Sequence, residues 1–389
     1  MTRRPAYYSQ ADCDPLKFAD LVQRSLSRED APNASALRAN IPVYDMTGLR
    51  DVLDVPARRR DLMAEWARVL KDGPGVLVLA AAYADTAALD AATEVYDRLI
   101  DEARRSDAPG ADHFAAAGSN DRIWNSLQKL CLAAPEVFLG YFANPAIDAV
   151  CEAWLGPNYQ MTAQINLVHP GGQAQQAHRD YHLGFQTAEV SATYPAHVHD
   201  LSPLMTLQGG IAHCNMPVKS GPTKLLPFSQ LYRPGYAAWR REDFRDLFER
   251  HHVQLPLDKG DALFFNPALF HAAGANSSAD IHRMVNLLQV SSAFGRAMEA
   301  VDRTAMCAAV FAPLQRAWDR GELSEPELDA AIAATAEGYS FPTNLDTDPP
   351  TDGLAPQTQQ ALLKAAVTEG WGSDRFRAAL TTQDARRRA

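Results

Sequence analysis

Apolar positions recur at helical spacing along Ala57–Leu70 (Leu62, Trp66, Val69, Leu70), and Lys71-Asp72-Gly73-Pro74 stops the pattern, which predicts a helix. The unbroken run Gly75-Val76-Leu77-Val78-Leu79 predicts a short buried strand. Helical texture returns over Thr86–Ala103 and over Pro145–Leu155, where Gly156-Pro157 ends it. Tyr159–Val168 then reads as a strand, and Pro170-Gly171-Gly172 turns the chain. Beyond that turn the texture changes. Leu204–Ile211, Thr223–Leu226, Ala262–Phe265 and Met284–Val290 are short apolar runs separated by Pro, Gly and Asn, a rhythm that favours an antiparallel sandwich or barrel over βαβ units. Residues 297–336 return to helix, Phe341–Pro356 reads as a loop rich in Pro, Asp and Thr, and a last helix fits Gln357–Thr368. Residues 1–55 read as an irregular arm with one helical segment near Pro15–Ser27. The expected architecture is a mainly β core with flanking helices.

Composition narrows the class of partner. With 389 residues, 47% of them hydrophobic, the chain can bury a large core. A net charge of −10 argues against nucleic acid, which needs a basic face. The runs Arg58-Arg59-Arg60 and Arg386-Arg387-Arg388 are short, and read as the flank of a helix and a frayed tail. No stretch approaches the roughly 18 apolar residues of a membrane span, and Met1–Asp14 lacks the apolar centre of a signal peptide. Five scattered cysteines without a Cys-x-x-Cys pair suggest neither a disulfide framework nor a zinc site, so a reducing cytoplasm is the expected compartment.

The chemistry-bearing candidates begin with His178-Arg179-Asp180. In an extended strand alternate side chains share a face, which puts His178 and Asp180 together and Arg179 opposite. A second histidine, His271, follows the apolar run Gly260–Phe265 far downstream. Two imidazoles and one carboxylate match the facial triad of non-haem Fe(II) oxygenases, which leaves three metal positions open. A His-x-Asp triplet alone is weak evidence, and without its context a hydrogen-bonded pair with an unrelated histidine is the better reading. After His271 the Gly- and Ser-rich loop Ala272–Asp280 forms a turn, so Arg283 falls on the neighbouring strand. Arg283 shares the face of Val285 and Leu287, and a charge on an apolar face needs a partner; a guanidinium fork suits a carboxylate. His182 falls on the face of His178 and Asp180 as a rival ligand or pocket residue. His213 and Cys214 are within reach of a pocket or the core, while His197, His199, His251 and His252 read as solvated.

Four blocks in order resemble the phytanoyl-CoA dioxygenase (PhyH) family over roughly residues 60–295. They are the helix text Asn144-Pro145-Ala146-Ile147 to Leu155-Gly156-Pro157-Asn158, the His178-Arg179-Asp180 triplet, Val218–Ser229, and His271-x-x-Gly274-x-Asn276-x-Ser278 with Arg283 and Asn286 beyond. The resemblance implies a double-stranded β-helix (jelly roll) that binds Fe(II) and 2-oxoglutarate and uses O2 on a small-molecule substrate. Carried over, His178, Asp180 and His271 would bind iron and Arg283 would grip the far carboxylate of 2-oxoglutarate. Asn166 resembles a co-substrate contact of ectoine hydroxylase, a relative, and Gln164 shares its face. Trp124, in a segment that often closes over such sites, is a candidate substrate contact. Halogenating members of the wider class carry Ala or Gly where this chain has Asp180, so hydroxylation is expected. Phe228 and Gln230 depart from the family's glycine and histidine, which puts substrate contacts in question. The expected organisation is an arm (1–55), an oxygenase jelly-roll domain with preceding helices (56–296), and a helical extension packed on it (297–389). The regions outside the matched blocks are candidates for covering the pocket or for a subunit contact. A cupin-like non-oxidative metalloenzyme and a catalytically silent jelly-roll binding protein are the alternatives.

Overall fold

The computed structural model describes residues 5–105 and 118–388. Its strands are β1 (Ala36–Arg38), β2 (Ile41–Asp45), β3 (Val76–Ala80), β4 (Asn120–Ile123), β5 (Gln160–Val168), β6 (Thr206–Ala212), β7 (Lys224–Leu226), β8 (Ala262–Phe265), β9 (Phe270–Ala272) and β10 (Arg283–Ser291). The larger sheet runs β1-β2-β3-β8-β6-β10-β5-β4, and β7 pairs with β9 in a smaller one. Among the described strands only the β2–β3 pair is parallel. Bridges His178↔His271 and Leu225↔Val253 widen the smaller sheet on both sides, so two walls face each other as a jelly roll.

Strand alternation decides what each face does. The longest ladder pairs β10 with β5 from Arg283↔Val168 to Ser291↔Gln160. Met284, Leu288 and Val290 of β10 and Met161, Ala163 and Ile165 of β5 point into the main hydrophobic core, against the flanking helices. Arg283, Val285, Leu287 and Gln289, with Gln164, Asn166 and Val168, point the other way into a cavity between the walls. The segment 297–336 forms helices Arg303–Asp319 and Glu325–Thr335, the second opened by a Ser324/Glu327 capping box. Met306, Val310, Phe311, Leu328 and Ile332 join the same core as the sheet, so this region is continuous with it.

Several elements differ from expectation. The stretch expected as an irregular arm supplies β1 and β2; Ile41-Pro42-Val43-Tyr44 is too short to stand out in the sequence, but all four residues are buried beside β3. Helices Ser126–Ala133 and Pro135–Phe142 are apolar around much of their circumference, which hides their period. Helix Glu242–His251 was also not anticipated. A further helix, Ser373–Arg387, follows Gln359–Thr368. It takes Arg386 and Arg387 into its last turn, where cations suit the helix dipole, in place of the expected frayed tail.

On the helical side of the sheet His213 is buried between Thr93 Oγ1 and Tyr141 Oη, 2.8 Å from each, and Asn286 donates to that same hydroxyl at 3.1 Å. It therefore belongs to the core and not to the cavity. Burial holds the ring neutral and pushes it down to about 3 from the ordinary 6.5. The unfolded chain takes up this proton first as pH falls, so stability present above pH 6.5 is lost between about 6.5 and 3. His213→Gln, which can still hydrogen-bond, should lose less melting temperature than the wild type between pH 7 and 5; equal losses by calorimetry would exclude this contribution.

Candidate metal centre and active-site cavity

His178 and His271 face each other across the bridge, each backbone N–H donating to the other's carbonyl, at 3.0 and 3.2 Å. Their rings therefore project to one side, with centroids 4.4 Å apart. Asp180 lies two residues on, and ligand atoms of all three residues fall within 4.8 Å of one another. Nδ1 of His178 meets Gln176 O and Nδ1 of His271 meets Leu269 O, both at 2.9 Å. A carbonyl only accepts, so each Nδ1 carries a hydrogen, and each Nε2, the atom left to hold a proton or a metal, faces Asp180 at 3.6 and 3.3 Å. Burial opposes ionisation of Asp180, yet the facing imidazoles outweigh it and hold the carboxyl well below its ordinary range. Burial likewise opposes charge on His178, but Asp180 lifts that ring above its ordinary value. Burial and the neighbouring His178 push His271 down. One carboxylate supports one imidazolium; a divalent cation satisfies all three donors at once. The donor set thus fits a metal.

Arg179, between His178 and Asp180, points the opposite way. Its buried guanidinium donates to Ser229 O and Tyr232 O at 2.7 and 2.9 Å and lies between the rings of Tyr236 and Phe270. Gly235 makes room: a Cβ there would lie 1.9 Å from Arg179 Cζ. The segment that carries His178 and Asp180 is stapled from behind.

The triad sits on the wall of a cavity of about 630 Å³, a size that accommodates a drug-sized molecule. Arg283, Asn166, Gln164 and Trp124 line the same cavity. Arg283 is buried, with only two 3.4 Å contacts from Nη1 to Ser220 O and Gly274 O, and its Nε has no partner. Among the described residues no carboxylate pairs with it, and burial pushes it down to about 10. Gly221 and Gly274 let the two carbonyl-bearing segments touch: a Cβ on Gly221 would lie 2.4 Å from Ala275 O. Asn276 closes the loop beyond, donating to Val168 O and Ile281 O while accepting from Ser278. Gln164 accepts from Arg122 at 3.1 Å and leaves a buried Nε2 without a partner, as does Asn166 its Oδ1. Arg122 also stacks on Trp124, 5.0 Å from the ring centroid.

His182 is placed elsewhere. The shared face expected for it needed a continuous strand, but the backbone turns at Tyr181 and His182 (φ 61° and 40°). His182 is exposed, lies 3.2 Å from Ser202 Oγ and is not among the cavity-lining residues. His199 is buried against Ser191 O rather than solvated. Phe228 and Gln230 also stay off the cavity wall; Phe228 holds the left-handed turn (φ 67°) that a glycine would take freely, and Gln230 donates to Gly73 O. Gln208, Trp239, Phe185 and Met298 line the cavity without having been singled out in the sequence. Only Gln208 left a readable trace there, as an amide inside the apolar run Leu204–Ile211.

A jelly roll carrying two imidazoles, a carboxylate and a buried arginine on one cavity has the architecture of a mononuclear metalloenzyme. The sequence profile described as Phytanoyl-CoA dioxygenase (PhyH) matches residues 68–285, more than half of the chain, and the chain belongs to that family, whose cofactors are Fe(II), 2-oxoglutarate and O2. A curated relative, "Dioxygenase andF" of Emericella variicolor, is 27% identical over 144 residues, covering 36% of this chain. The match spans 45% of that relative's length, less than half. Two solved structures are distantly similar. The non-heme alpha ketoglutarate dependent epimerase SnoN from nogalamycin biosynthesis is 19% identical, with a TM-score of 0.41, 61% of this chain and 84% of its own covered. The carbocyclase SnoK from the same biosynthesis is also 19% identical, with a TM-score of 0.42 and coverages of 58% and 83%. No helix among the described residues is long and apolar enough to cross a membrane.

Proposed function

We propose that the protein is an Fe(II)- and 2-oxoglutarate-dependent oxygenase that hydroxylates an aliphatic C–H bond of a small molecule. One observation carries the reading: a three-donor metal set and a buried arginine without a carboxylate line one cavity. His178, Asp180 and His271 would hold iron, and Arg283 would grip the distal carboxylate of 2-oxoglutarate. Asn166 and Gln164, each with an unpartnered polar atom, would contact co-substrate or substrate. Bound iron and 2-oxoglutarate supply the oxidising power drawn from O2, with succinate and CO2 released. This chain's own work is to fix the donors, orient co-substrate and substrate, and keep water out. Asp180, a carboxylate rather than a small residue, favours hydroxylation over halogenation.

Among the described lining residues Asp180 is the one carboxylate, which leaves no acid for a cationic substrate. These described lining residues favour a neutral or anionic substrate, and the amides along the walls suit an oxygen-bearing one. The five cysteines are all free, in keeping with a reducing cytoplasm as the compartment.

Anaerobic titration of apoprotein with Fe(II) and 2-oxoglutarate should give the weak visible charge-transfer band of an iron-bound 2-oxo acid, and His178→Ala should lack it. No band in the wild type, or an undiminished one in the variant, would sink the reading. A cupin-like non-oxidative enzyme would bind metal yet show no such band.

A further inference from the structure

Asp180 is the least supported of the three metal-ligand candidates. The bridge that fixes His178 against His271 ends there: Asp180 N–H bonds Pro267 O, and the next residue, Tyr181, leaves the extended region. Its carboxylate is held instead from the opposite wall. Gln208 of β6 reaches across the cavity, and its Nε2 lies 2.5 Å from Asp180 Oδ2. A carboxylate bound to a cation only accepts, so the amide must present its NH2 there, which fixes the orientation of the side chain. Among the described residues Gln208 Oε1 then has no partner. The neighbouring strand repeats the arrangement: Gln289, the register partner of Gln208, accepts from Tyr181 Oη at 2.8 Å. Two glutamines side by side on the larger sheet thus hold residues 180 and 181 at the point where the smaller sheet stops holding them.

We propose that Gln208 is a positioning residue that occupies one oxygen of Asp180, so that the carboxylate gives the metal a single donor and a coordination position stays open. The proposal rests on the oxygenase reading. A carboxylate free to bind through both oxygens would fill one of the three positions that two ligand atoms of 2-oxoglutarate and O2 need. Gln208 needs no contact with substrate for this.

The test compares wild type with Gln208→Met, which keeps the volume and loses the donor. Three measurements are made without turnover: Fe(II) affinity, the anaerobic 2-oxoglutarate band, and binding of nitric oxide, a stand-in for O2, followed by electron paramagnetic resonance. Gln208→Met should melt within a few degrees of the wild type, bind Fe(II) at least as tightly because a second carboxylate oxygen is freed, and lose nitric oxide affinity in the presence of 2-oxoglutarate by about tenfold or more. A variant whose nitric oxide affinity in the presence of 2-oxoglutarate stays within twofold of the wild type would overturn the proposal. If the variant does not fold, a crystal structure of the wild-type metal complex decides: Asp180 bound through one oxygen with Gln208 on the other supports the proposal, and Asp180 bound through both overturns it. A wild type that shows no band removes the oxygenase reading, and this proposal falls with it.

Discussion

Asp180→Ala is expected to abolish turnover, by a thousandfold or more, and to erase the thermal stabilisation that Fe(II) gives the wild type. Two neutral imidazoles remain in the variant, but the one carboxylate among the described cavity-lining residues is gone, and with it the charge that holds a divalent cation. A cation that binds only the folded chain, at about a hundred times its Kd, stabilises by about 2.7 kcal/mol. That increment is readable as a melting shift. The apo variant should melt below the apo wild type, because the carboxylate that the imidazoles stabilise and that Gln208 donates to is gone, so the diagnostic is the increment that Fe(II) adds to each protein. Metal affinity of the wild type should also weaken as pH falls, since His178, lifted by Asp180, takes up a proton that competes with the metal. The Asp180 assignment fails if the variant keeps a tenth of the activity or the full Fe(II)-dependent shift.

The legible part of this fold was the part written as short apolar runs. The runs that became β3, β5, β6, β8 and β10 stood out because turn residues bound each of them, and His271 and Arg283 could be placed from the loop between them. The jelly roll itself and the pairing of His178 with His271 came from family resemblance; no local pattern states that two segments so far apart are hydrogen-bonded. His182 shows the limit of alternation as an argument. It holds only while the strand lasts, and the chain turns at Tyr181. His213 shows another limit: Leu207–Ile211 read correctly as a strand, but which face meets helices and which meets the cavity depends on the fold. Gln208 was hidden for a related reason. An amide in an apolar strand has meaning only once Asp180 is seen opposite it. The short strands β1 and β2 carried too few residues to register against the loops around them.

Arg283→Met should separate co-substrate recognition from metal binding. The wild-type guanidinium is buried with two long carbonyl contacts and an unpartnered Nε, so the folded apoprotein carries a charge that its own side chains leave unmatched. Burial of such a charge costs stability unless a counter-ion arrives. Methionine fills similar space without that cost, so the apo variant should melt at the wild-type temperature or above it. The apparent KM for 2-oxoglutarate should nevertheless rise about a hundredfold or more, a loss of about 2.7 kcal/mol or more, since truncating one partner of a buried charge pair costs about 2–5 kcal/mol. Arg283→Lys should fall between the two, because an ammonium supplies charge without the two-pronged geometry. Fe(II) affinity measured without 2-oxoglutarate should stay within about threefold of the wild type. The combination is diagnostic: an arginine kept to bind its neighbouring carbonyls would lower the melting temperature when lost and leave KM alone. One that awaits a carboxylate does the reverse. A stable variant with an unchanged KM would remove 2-oxoglutarate from this end of the cavity.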